Sequence, residues 1–133
     1  MPRAPRRTDG SDIVDLDQLA REVSQAIETY TYDYPPGMLG QPWDAGRIAA
    51  HLDAMRGALV SPRWALVALR DTIEQIRSAE PAKYRCAIVA DDRKGTFLVF
   101  DVEDKAFMLA RDDGNGLESF GVRGDVVGCF MAR

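Results

Sequence analysis

The spacing of apolar residues changes near position 83. Upstream, apolar side chains recur every three or four residues; downstream they fall into short runs separated by turn-forming residues. The first pattern places one face of a helix against a core, and the second belongs to strands.

The first helical stripe is Leu16, Leu19, Val23, Ile27 and Tyr30, with Asp17, Arg21, Glu22, Ser24 and Glu28 on the other side. Asp15 is the expected N-cap, Gln18 stands where a capping box needs it, and Val14 can staple onto Leu19. A second helix is expected from Asp44 as N-cap, with Ile48, Leu52, Met55 and Leu59 as its stripe. Ser61 followed by Pro62 then reads as an N-cap and first helical position. A third helix is expected from there, carrying Leu66, Leu69, Ile73 and Ile76 beside Trp64 and Val67, and ending at Pro81. So short a link between helices two and three predicts an antiparallel αα-hairpin.

From Lys83 onward, strands are expected at 84–90, 96–101, 105–111, 118–122 and 125–131. The intervening segments Asp91-Asp92-Arg93-Lys94-Gly95, Glu103-Asp104, Asp112-Asp113-Gly114-Asn115-Gly116 and Arg123-Gly124 are too short for crossover helices. The expected fold class is therefore α+β: an N-terminal three-helix segment with an αα-hairpin, packed on an antiparallel β-meander of four or five strands. Residues 97–100 and 106–110 do not alternate apolar with polar, so both faces of the central strands should be covered. Helices divided between the two faces are the expected cover, with a second subunit, and hence a homodimer, as the other route.

At 133 residues the chain fits one core, and 46% apolar with 29% charged residues is ordinary globular composition. Residues 1–12 are rich in Pro, Arg and Asp without periodicity and read as a flexible basic tail, leaving 13–133 as a single α+β domain. No apolar run reaches the length of a membrane span, and no apolar segment follows the basic N-terminus, so the expected address is cytoplasmic and membrane binding is not expected. Net charge is −4, and the positive N-terminal residues leave the remainder more acidic still. Such a body repels phosphate backbones, which speaks against nucleic acid, and suits a basic protein partner.

Candidate chemistry is sparse. Cys86 and Cys129 lie within expected strands and read as small buried hydrophobes. They cannot assemble a four-ligand zinc site with the single His51 alone, so no metal is expected. The run from Asp113 begins like a calcium loop but offers Leu117 and Gly124 where oxygen donors are needed. No glycine pattern cradles a phosphate, and no cofactor is expected. Arg123-Gly124-Asp125 reads as a tight turn.

The most distinctive stretch is the aromatic loop 31–43, broken by Pro35, Pro36, Gly37, Gly40 and Pro42. Tyr and Trp on a loop are suited to contact a partner. Tyr32, Tyr34 and Trp43 would be anchors, with Asp33 and Asp44 as a charged rim. The expected function is a small, non-enzymatic protein-binding module of the immunity-like or adaptor kind. The alternative is a small-molecule binder or simple enzyme, with His51 and Tyr34 in a pocket between the loop and the helical hairpin.

Overall fold

The computed structural model describes residues 15–32, 43–70, 72–112, 114 and 116–133. The expected tail 1–12, the Val14 staple, and Asp33, Tyr34 and the middle of the aromatic loop lie outside the described residues.

Helix α1 spans Leu16–Glu28 and is capped by Asp15, whose carboxylate accepts from the backbone N–H of Asp17 and of Gln18. The capping box is one-sided, because the Gln18 side chain donates to Glu22 and accepts from Arg21 instead of returning to the cap. Leu19, Val23 and Ile27 are buried, as the stripe requires. Helix α2 spans Ala45–Ala58; its N-cap is Asp44, which accepts from the Arg47 N–H at 2.7 Å. Met55 and Ala58 are its buried residues.

Helix α2 runs directly into a strand, so the expected third helix and its hairpin are not present. Strand β1 spans Leu59–Ala68, and Pro62 lies within it. The register with the next strand shifts between Leu59 and Arg63, so Pro62 sits in an irregular stretch where its missing N–H interrupts no regular ladder. The misreading has a physical origin. The run Trp64 to Leu69 is apolar throughout, and a strand covered on both sides cannot be told from a buried helix by periodicity alone. Only five residues of the expected helix are helical: α3, Ile73–Arg77, whose capping box joins Thr72 and Gln75.

The meander follows. Strands β2 (Lys83–Asp91), β3 (Thr96–Asp101), β4 (Ala106–Asp112) and β5 (Leu117–Gly124) pair antiparallel in sequence order. The expected fifth strand at 125–131 is instead helix α4, Val126–Met131, capped by Asp125 through the Gly128 N–H. Its valines suggested a strand, but Val126, Val127, Cys129 and Phe130 are buried by packing against the outside of the sheet.

The five strands close into a barrel in the order β1-β2-β3-β4-β5. Consecutive strands of a meander alternate in direction, so the first and fifth run the same way, and the closing pair must be parallel. It is: Val67 lies opposite Leu117 and Ala68 opposite Glu118. A parallel neighbour ordinarily requires a crossover connection; here the three intervening strands supply it.

Closure explains the unalternated apolar strands. One set of side chains, including Val67, Cys86, Ile88, Val99, Met108 and Ala110, fills the barrel interior. The other, including Ala87, Val89, Leu98 and Leu109, faces outward and is covered by α1, α2 and α4. On that outer face Phe100 and Phe107 pair across β3 and β4 with ring centres 5.0 Å apart. Both faces are covered within the chain, but the expectation that helices divide between them is corrected: the sheet covers its own inner face by curling.

Candidate functional site

Two surfaces combine exposure with chemistry. The first surrounds the described end of the aromatic loop. Trp43 precedes the cap of α2 and folds back along that helix. Its ring stacks on His51 with centroids 4.7 Å apart and planes 13° apart, and the Arg47 guanidinium lies 4.0 Å from the ring centre. Arg47 and His51 are one helical turn apart, so both reach the same flat partner. Tyr32 stacks more distantly on Trp43, at 6.3 Å, and its hydroxyl oxygen accepts from the Trp43 backbone N–H at 3.2 Å. Tyr32, Trp43 and His51 are all half-buried.

The expected anchors Tyr32 and Trp43 are thus brought together, and His51 joins them. Asp44 caps α2 through one carboxylate oxygen. Asp33 and Tyr34 lie outside the described residues. The pocket expected around His51 needed a helical hairpin as a wall, and β1 stands in its place.

The second surface is at the end of the barrel where β1 passes through α3 to β2. The large apolar residues that stay exposed among those described are Leu66, Ile73 and Ile76, at 59%, 68% and 60% exposure. Leu66 lies near the end of β1, and Ile73 and Ile76 lie in the connection that follows it. Leu66 stands on the outer face of β1, and Ile73 and Ile76, three residues apart, share a side of α3.

Leu66 lines a cleft of about 550 Å³, with Ala68, Arg70, Glu80, Lys83 and Leu117 among its other lining residues. Arg70 holds its shape. The Arg70 Nη1 donates to the backbone carbonyls of Gln75, Ile76 and Ser78, at 2.7, 3.2 and 2.7 Å, gathering the end of α3 and the residue after it. Its Nε lies 3.4 Å from Glu118 on β5, and its backbone N–H donates to the buried Ser119 hydroxyl at 2.8 Å. One arginine thereby ties α3 to the closing strand. Its planar fork, with several donors in fixed directions, suits this task better than an ammonium would.

Charges around the cleft are unevenly satisfied. Glu118 is shared between Arg70 and Arg111, the latter 3.8 Å away. Arg85, opposite Leu66 in the β1–β2 ladder, lies over the Trp64 ring, 4.1 Å from its centre. Lys83, opposite Ala68, forms no ion pair among the described residues. Sequence reasoning missed this surface because it placed Leu66, Ile73 and Ile76 on the buried stripe of a single helix.

The cysteines occupy different cores and are not bonded to one another: Cys86 is inside the barrel and Cys129 outside it on α4. The Cys129 thiol donates to the Phe107 carbonyl, and burial, reinforced by Asp125 and opposed by Arg123, pushes its pKa up to about 11. A thiol held neutral in this way is a poor nucleophile. Among the described residues no group of three or more His, Cys, Asp or Glu converges as metal ligands would. No helix among them is long and apolar enough to cross a membrane.

No family model, no curated protein and no solved structure matches this chain.

Proposed function

We propose that the protein is a protein-binding module, of the immunity-like or adaptor kind, and that its main contact surface is the β1–α3 end of the barrel. The observation that carries this reading is that Leu66, Ile73 and Ile76, the large apolar residues exposed among those described, fall within eleven residues of the chain, with Leu66 lining a cleft. Scattered exposed hydrophobes are common, but a cluster at one place is the usual mark of a contact surface.

The Tyr32–Trp43 ledge is the second reading, with a basic partner matched to the acidic body. It is favoured by the half-buried, mutually stacked rings, which would lose little side-chain freedom on binding. Tyr34 would be a further anchor there, with Asp33 and Asp44 as rim charges.

The test is retention of partners from native lysate by three baits: wild type, Leu66→Asp/Ile73→Asp, and Tyr32→Ala/Trp43→Ala, each checked for folding by circular dichroism. A protein retained by wild type and by the aromatic variant, but lost with the first variant, is the expected result. Loss only with Tyr32→Ala/Trp43→Ala would move the site to the ledge. Identical retention by all three baits would remove both surfaces.

A further inference from the structure

The cleft beside Leu66 has a chemistry that selects among protein partners. Leu66, Ala68 and Leu117 supply apolar lining beside Arg70, Glu80 and Lys83. The strand β2 then places Lys83 and Arg85 opposite Ala68 and Leu66 in the ladder, and Lys83 itself lines the cleft. Successive odd residues of a strand share a face, so both cations project from the outer side with Leu66 and Ala68. In a chain of net charge −4 this is a local reversal of sign.

The carboxylates nearby do not cancel it. Glu118 is already neutralised by Arg70 and Arg111. Glu80 is the one carboxylate among the residues lining the cleft, and Lys83 and Arg85 together outnumber it. Arg70 also lines the cleft, but its guanidinium is committed to three carbonyls and to Glu118. Arg85 lies over the Trp64 ring while remaining exposed, so the ring positions its guanidinium without neutralising it.

We infer that this cleft takes an acidic peptide segment of a protein partner, seating an apolar side chain over Leu66 and Ala68 and setting Asp or Glu carboxylates against Lys83 and Arg85. This rests on the protein-binding reading and names the class of partner for that surface. The groove suits a peptide better than a lipid surface. Recognition of anionic membranes takes clusters of about four to eight basic residues, whereas here two stand opposite Leu66 and Ala68. An apolar anchor with a charged margin is the ordinary anatomy of a protein contact.

The experiment is selection from a displayed random-peptide library against the full chain, followed by titration of one enriched peptide into isotope-labelled protein. Enriched sequences are expected to combine a bulky apolar residue with Asp or Glu. Amide shifts should centre on Leu66, Lys83 and Leu117. Leu66→Asp should weaken the chosen peptide by about tenfold or more, as loss of a central anchor does. Lys83→Glu/Arg85→Glu should turn the selection toward Lys- and Arg-bearing peptides, a result that mere loss of folding could not produce. Leu66-dependent peptides without acidic enrichment would overturn the acidic class while leaving the contact surface in place. No Leu66-dependent peptide at all would overturn both. Binding to phosphatidylserine vesicles that requires Lys83 and Arg85, without peptide binding, would overturn the inference in favour of a membrane surface.

Discussion

Arg123 reaches the fully buried Asp101 carboxylate at one end of the barrel, its Nη1 3.1 Å from Oδ2, and extends outward to Asp104 at 3.4 Å. The second Asp101 oxygen accepts from the Glu103 N–H. The pair joins the end of β3 to the end of β5, which are not neighbours in the sheet.

Removing the arginine while keeping the acid should be the worst change at this site. Arg123→Met leaves the Asp101 charge in the barrel without its guanidinium and is expected to cost about 3 kcal/mol. The double variant Asp101→Asn/Arg123→Met should cost less than the single one, because no buried charge remains. Urea denaturation of the three proteins measures the difference; equal losses would mean that the pair contributes through packing alone.

Alkaline stability should depend on Cys129. Its thiol pKa is about 9 in an unfolded chain and about 11 in the folded one. Between those values the unfolded chain loses a proton that the native protein retains, so stability falls as pH rises from 9 toward 11 and is unaffected below. The loss from this group is on the order of 2 kcal/mol. Tyr30 shifts in the same direction, chiefly through burial and then through Asp125, and adds to the decline from about pH 10 upward. Denaturation midpoints of wild type and Cys129→Ala, compared from pH 7 to pH 10.5, check this. The variant should start lower and fall less steeply.

Two glycines should respond oppositely to alanine. Gly57 lies within α2, and a Cβ there would meet nothing within 4 Å. Gly57→Ala is expected to stabilise the protein by about 0.5 to 1 kcal/mol through helix propensity. Gly121 has φ +92° in β5, where the register with β4 shifts between Met108 and Ala110. Gly121→Ala finds room but not an allowed backbone, and should cost about 1 to 2 kcal/mol. Thermal melts of the two variants should move in opposite directions.

Much of the chain was legible because local chemistry decided it. Asp15 and Asp44 cap the helices expected of them, and the turn at 92–95 forms where its residues predicted. There Asp91 accepts from the Arg93 N–H, and Asp92 accepts from those of Lys94 and Thr96. The apolar stretches 97–100 and 106–110 correctly announced strands covered on both faces. What local chemistry could not decide was topology. Residues 64–68 become a strand because β2 and the short closing pair with β5 await them, and that information lies elsewhere in the chain. Residues 126–131 become a helix because five strands already complete the barrel. The candidate cleft was illegible for the same reason: Leu66 and Leu117 share its lining only once the barrel has closed.

Val67 and Leu117 meet at the seam after a detour through every other strand. Such a contact offers no reward until the hairpins between them exist, and chain entropy opposes it most of all the strand pairings. The barrel is therefore expected to assemble as an open, twisted sheet that zips shut last. The cleft that we assign to a partner peptide comes into being with that final step, and a chain that stalled one pairing short would have most of its secondary structure and no binding site.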